Sequence, residues 1–289
     1  MKKKYSKILT LSVLTVGLLF PTTVGAADIQ NNKISDLKNK IPVKMDPGTI
    51  LKYDQYINPL IEHNDVDVQN LNQFSANSDE EVDIEGRAAE DEFFASVSEE
   101  AKRLGLPTVD LGYDLPNPEP GLVVIYGTDG LINRYYNELE VDANQKEEKI
   151  SPLAGIPTTT VPYPGRLAPG VYNYGTNQVI TITPGAVTGE GRFTVYRAGV
   201  GGSGSVGSSG KTLTAGDVAT KRQVDNPKHN TAISARALNT NVVKTVFKND
   251  IGTMPSAVLD VYFWGWNNSM FGYTYSDTLS FPGRYYYQY

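Results

Sequence analysis

The chain has no cysteine and only two histidines, His63 and His229. Without thiols there is no disulfide framework, no thiolate nucleophile, no Cys-based zinc or iron–sulfur centre and no lipoprotein anchor. Two imidazoles also disfavour a catalytic zinc, so neither metal nor other cofactor is expected. Long apolar runs are missing as well. The longest, Ile8 to Phe20, falls short of the roughly 20 residues needed to cross hydrocarbon. After residue 150 only six acidic residues remain.

What is present begins with an address. Lys2, Lys3, Lys4 and Lys7 precede the apolar run, Pro21 breaks it, and Val24 and Ala26 fit the small-residue cleavage rule. This layout predicts a signal peptide over 1–27 and an exported protein, with no stable membrane insertion after cleavage. The Lys-rich start and the lack of cysteine are associated with Gram-positive exported proteins.

The remaining residues, out of 289, allow one or two domains. Residues 28–150 carry 26 acidic and 11 basic side chains, a net −15, whereas residues 151–289 carry 6 and 11, a net +5. Of 29 aromatic residues 18 lie after position 150, as do 18 of 27 glycines. An acidic N-terminal region (28–150), a Pro-rich linker (151–169) and a C-terminal β-domain (170–289) follow from that division. Asp28 to Arg87 is rich in Asn, Asp and Gln without a sustained apolar period, and much of it reads as extended or disordered. Phe93, Val97, Ala101 and Leu104 then predict a helix that Gly105 and Pro107 stop. Leu122–Tyr126 and Leu131–Tyr136 around Gly127–Gly130 predict a β-hairpin. The acidic region could shield the basic half as a propeptide or act as a spacer; no dibasic processing site occurs, and the spacer is preferred.

From Gly170 the pattern is all-β. Val179–Thr183, Arg192–Tyr196, Ala232–Leu238, Val242–Phe247 after the turn Thr240-Asn241, and Ala257–Trp264 predict short strands of a sandwich or barrel. A helical turn is expected near Ala215–Thr220. Gly199 to Gly210 has glycines able to cradle an anion, but the GxxxxGK[ST] spacing is not met at Gly210-Lys211-Thr212, so a flexible loop is expected.

Scarcity makes two carboxylates stand out. Asp250 ends a strand before Gly252, and Asp260 lies inside Ala257-Val258-Leu259-Asp260-Val261-Tyr262-Phe263. A charge in so apolar a strand must be paired, hydrogen-bonded or partly neutralised, and burial raises a carboxyl pKa toward what a general acid needs. The alternative is that Asp260 merely holds backbone N–H groups or Arg236, and that Asp250 merely starts a turn.

Gly191-Arg192-Phe193-Thr194-Val195-Tyr196, a Gly-rich loop, Leu213-Thr214-Ala215-Gly216-Asp217, Ala232 to Leu238, Lys244 to Gly252 and Val258-Leu259-Asp260-Val261 together resemble, in order, the double-psi β-barrel of bacterial expansins and rare lipoprotein A-type wall proteins. The resemblance covers residues 191 to about 264. It implies a mainly β fold with a six-stranded double-psi-like barrel, and a polysaccharide groove with Asp250, Asp260 and Thr194 in the catalytic positions and Tyr196 beside them. Rare lipoprotein A-type enzymes add a histidine and a glutamate near the Gly-rich loop. Neither stands in that loop here, and His229 in Asn226-Pro227-Lys228-His229-Asn230 reads as a surface turn. A non-hydrolytic, expansin-like binder therefore fits better than a lytic enzyme.

Of the aromatic tail Tyr262 to Tyr289, most rings are expected to pack, with two or three at the surface; Trp264 and Trp266 are candidates for stacking on sugar. The dispersed +5 charge speaks against nucleic acid. The expectation is a secreted, wall-associated protein whose barrel binds, and loosens, a cell-wall polysaccharide or peptidoglycan. A secreted toxin or bacteriocin-like protein, a lytic enzyme using both aspartates, and a structural surface protein are the alternatives.

Overall fold

A computed structural model describes residues 36–63, 84–139, 165–198, 205–263 and 269–289. In chain order the elements are β1 (Thr49–Tyr53), β2 (Pro59–His63), α1 (Ile84–Arg103), β3 (Thr108–Asp110), β4 (Leu122–Tyr126), β5 (Ile132–Asn137), β6 (Gly165–Arg166), β7 (Gly170–Asn173), β8 (Val179–Thr183) and β9 (Ala186–Tyr196). They continue with β10 (Asp217–Lys221), β11 (Asp225–Asn226), β12 (Thr231–Ala237), β13 (Val243–Gly252), β14 (Leu259–Tyr262), β15 (Ser269–Met270), β16 (Tyr273–Thr274) and β17 (Ser280–Gln288). The predicted signal segment and most of the Pro-rich linker lie outside the described residues.

A closed barrel of six strands forms the C-terminal part. Its order is β14-β10-β13-β12-β17-β9, and β14 returns to pair with β9. Two of the pairings, β10 with β13 and β14 with β9, are parallel; the other four are antiparallel. Closure leaves no free edge among these six strands. Phe193, Val195, Val218, Ile233, Val246, Leu259, Val261, Phe281, Tyr285 and Tyr287 fill the interior. Along β17 alternate residues from Phe281 to Tyr287 are buried, as the spacing of the tyrosines implied, while Tyr289 is half exposed. The fold is mainly β, with α1 outside the barrel.

Close packing restricts two barrel glycines. A Cβ on Gly189 would lie 2.2 Å from the ring of Tyr285, its cross-strand partner, and one on Gly283 would lie 2.7 Å from the Phe193 ring. Both rings are fully buried and have nowhere to move. Gly189→Ala is expected to cost about 1–3 kcal/mol by overpacking, read from urea unfolding.

Three local expectations are revised. The segment 215–220 is not a helical turn: residues 217–221 are strand β10, buried at every position between β13 and β14. Such a doubly covered strand shows no alternation to read. Thr214 and Asp217 close the turn before it, with the Thr214 N–H donating to Asp217 Oδ2 at 2.6 Å. Within Asp28 to Arg87, of which much was expected to be extended or disordered, residues 36–63 contribute β1 and β2 to a four-stranded sheet of order β2-β1-β4-β5. Leu51 and Tyr53 are buried there with Leu37, Ile41, Leu122, Val124, Tyr126 and Ile132. Strands of five residues are too short to register as a sustained period. In the Gly-rich segment, expected as a flexible loop, residues 205–210 are folded back on β13, with the Ser209 N–H donating to Asn249 O at 3.2 Å.

The predicted helix forms and ends as the sequence implies. Gly105 takes φ +61° and the Leu106 N–H donates to Ala101 O at 3.0 Å, a C-terminal cap that favours glycine. The predicted hairpin also forms, as β4 and β5. It does more than cap the small sheet, since its turn reaches the barrel. Arg192 of β9, 5% exposed, donates to Asp129 Oδ2 at 2.6 Å, to Ile132 O at 2.9 Å and to Asn133 Oδ1 at 3.1 Å.

Candidate functional site

Strand register brings the sequence-predicted residues into one row. Ala219 on β10 pairs with Asp250 on β13 to one side and with Asp260 on β14 to the other, and Asp260 pairs with Thr194 on β9. At about 4.8 Å between neighbouring strands, four strands place Asp250, Ala219, Asp260 and Thr194 side by side. Alternation then decides which face they share. Leu259 and Val261 point into the barrel core and so do Phe193 and Val195. Asp260 and Thr194 therefore face outward, as do Tyr262 and Tyr196, which pack with Ala219 and Leu213 in a separate cluster.

Asp250 reaches that face through an irregularity. Between Val218 and Ala219 the pairing with β13 slips by one residue, from Lys248 to Asp250, leaving Asn249 as the extra residue. A bulge of this kind re-aims the side chains that follow it. Asn249 is held by its Nδ2 donating to the buried Asp217 at 2.6 Å.

The contacts give the two aspartates different environments. Thr194 Oγ1 donates to Asp260 Oδ1 at 2.9 Å. Asp250 accepts the Tyr196 hydroxyl at 3.0 Å, the Ser208 N–H at 2.9 Å and the Ile251 N–H at 2.9 Å. Burial pushes the Asp260 carboxyl up to about 7, opposed by the Thr194 hydroxyl, then by Arg134, and reinforced by Asp250. Asp260 nonetheless keeps a partly exposed surface. Burial and the charge of Asp250 hold the Tyr196 phenol protonated, well above its ordinary range.

A half-buried carboxylic acid that keeps its proton near neutral pH can donate it. Asp250, with both oxygens engaged by donors, is a fixed acceptor that orients Tyr196 and the loop around Ser208.

The raised acid has a stability consequence of definite sign. An unfolded aspartate loses its proton near pH 4, whereas Asp260 keeps it to about 7, so stability falls as pH rises through that window. Asp260→Asn removes the penalty. Discounted for partial exposure, the variant is expected to gain about 1–2 kcal/mol over the wild type at pH 8 and nothing at pH 4, measured by urea unfolding at both values.

Tyr196, expected as a surface flank, is only 7% exposed; its ring packs edge-on against Tyr262 at 5.3 Å. Trp264 and Trp266 lie outside the described residues. Arg236 is not a partner of Asp260, for it pairs with Glu90 and Asp91 of α1. His229 sits in the turn before β12, with Nε2 3.3 Å from Ser208 Oγ, and burial followed by Lys248 depresses its pKa. No local pattern singled out Arg134 or Ser208 for this place, and Arg192 entered only as a member of the run Gly191–Tyr196. A cavity of about 690 Å3 lies along β9 at Glu190, Gly191 and Arg192, between the barrel and Lys44, Tyr113 and Asp129; the two aspartates do not line it.

Comparison with known proteins adds one relative. Over 73 residues the chain is 52% identical to the uncharacterized protein YdjM of Bacillus subtilis (strain 168), a stretch that makes up 25% of this chain. The match spans 56% of that relative's length. No family model matches the chain, and no solved structure matches it.

Proposed function

We propose that this is an exported, wall-associated protein whose six-stranded barrel, of the double-psi kind, engages a polysaccharide or peptidoglycan strand on the outer face around Asp260. The reading rests on the Thr194–Asp260 pair: a threonine hydroxyl donates to a carboxyl whose pKa burial raises, and Asp260 keeps some exposure amid the buried Thr194, Tyr196 and Tyr262. Tyr196 and Tyr262 beside it are buried and pack on each other, so they hold the shape of this face and leave Asp260 as its partly exposed polar group. The net +5 of residues 151–289 favours approach to an anionic wall.

The test is sedimentation of the full chain with purified Gram-positive walls at low and at high salt. Retention at low salt that weakens as salt rises supports the proposal; a protein left in the supernatant at low salt refutes it. A lytic reading stands second, on the same protonated acid. Asp260 would give its proton to the glycosidic oxygen as the C1–O bond breaks, and water, losing a proton back to Asp260, would take the sugar carbon. Sugar release by the wild type that Asp260→Asn abolishes establishes lysis. Wall binding without sugar release leaves a non-hydrolytic binder.

A further inference from the structure

A lysine lies sealed inside the barrel. Lys248 stands two residues after Val246 on β13, on the face that fills the interior, and is 0% exposed. Its Nζ donates to Asn226 Oδ1 at 2.7 Å. Asn226, itself buried, belongs to the short strand β11, whose partner is β6. An amine held at hydrogen-bond distance from a side-chain amide, with water kept out, is also a nucleophile held against a carbonyl carbon.

Two features favour reaction over a static contact. Burial lowers the Lys248 ammonium to about 8, opposed by Asp250 and Asp225, so a fraction of the molecules carries the free amine near neutral pH. Asp225, next to Asn226 in the chain, is fully buried. Its Oδ1 accepts the Tyr287 hydroxyl at 2.5 Å and lies 3.4 Å from Arg166 Nε, while Oδ2 is buried without a hydrogen bond. Burial brings this carboxyl up to about 6, opposed by Tyr287, Arg166 and Lys248, the range in which a group both takes and returns a proton.

We propose that Lys248 and Asn226 are the two halves of an intramolecular isopeptide bond that ties β13 to β11. Lys248 Nζ, as the free amine, adds to Cγ of Asn226. The bond from Nζ to Cγ forms, the bond from Cγ to Nδ2 breaks, and Nδ2 leaves as ammonia with a proton given up by Nζ. Buried Asp225 is the neighbour in β11 available to pass that proton. Nothing is oxidised or reduced, and no co-reactant enters. The chain has no cysteine, so no disulfide can close it. An amide between residues 226 and 248 serves the same end, by removing freedom from the unfolded chain, and no reductant breaks it. The bond forms whatever the face around Asp260 binds.

The purified full chain, held at pH 8, denatured and digested with trypsin, is read by mass spectrometry. The expected product joins residues 223–228 to residues 245–284, uncut after Lys248 and lighter by one ammonia than the two parts together. Lys248→Arg and Asn226→Ala are each expected to abolish it. On a denaturing gel the boiled wild type is expected to run ahead of Lys248→Arg, because the tie keeps part of the chain looped. Free residues 245–248 in full yield from the wild type overturn the proposal. So does a joined product lighter by water instead of ammonia, which places the bond on Asp225. The decisive reading is made on the wild type, so misfolding of either variant leaves it standing.

Discussion

Glu90→Gln is expected to destabilise the protein by about 3–5 kcal/mol, the range for removing one partner of a buried ion pair. Arg236 on β12 and Arg284 on β17 are direct cross-strand partners. Like charges so placed repel. Both are largely buried, at 7% and 12% exposure. Glu90, itself 4% exposed, stands between them, with Oε1 2.6 Å from Arg284 Nε and Oε2 3.3 Å from Arg236 Nε. Asp91 touches both arginines but is mostly in solvent. An amide in place of the Glu90 carboxylate would leave two guanidinium charges facing each other with one screened anion to share. The same residues fasten α1, since Phe93 and Phe94 pack on Tyr286 and Arg284 lies over the Phe94 ring. Equilibrium unfolding in urea measures the loss, and limited proteolysis within α1 is expected to accelerate. A change below about 1 kcal/mol would show that Asp91 alone suffices.

The second large effect concerns the other junction. Asp129→Asn keeps the oxygen that accepts the Leu131 N–H and removes the charge that faces buried Arg192. A loss of about 3 kcal/mol is expected. It sits at the low end of the range for a broken buried pair because the Asp129 side chain is 40% exposed and water moderates it. Arg192→Met is expected to cost less, although it deletes more hydrogen bonds, because it takes the buried cation away with them. If Arg192→Met proves the more damaging of the two, the hydrogen bonds to Ile132, Asn133 and Ser256 outweigh the uncompensated charge.

The contrast between these junctions and the barrel explains what could be read from residues alone. The aromatic and β-branched run Arg192–Tyr196 and an acid lodged in an apolar strand at Asp260 are local signals, and both strands form with that acid against Thr194. The turn at Thr240-Asn241 is equally local, with Asn241 at φ +60°. β10 was hidden because a strand covered on both faces has no period to display. The outward turn of Asp250 depends on one extra residue in the pairing with β10, which exists only once two distant segments meet. Arg134 is invisible for the same reason: 126 positions separate it from Asp260, and nothing nearby in the sequence asks for a cation. Arg236, one of the alternative partners open to Asp260, meets Glu90 instead, which lies in a helix whose seat on the barrel no pattern reveals.

The position of β17 has one more implication. This strand runs between β12 and β9, contributing Phe281, Tyr285 and Tyr287 to the interior, yet it is synthesised after every other strand of the barrel. Until it is released, β9 and β12 have no neighbour to join them. The barrel must therefore wait, as a set of unclosed pieces, until residues 280–288 have emerged before a cooperative transition becomes available, and topologies of such high sequence separation are slow to form. Anything that delays folding of the growing chain has that whole interval in which to act.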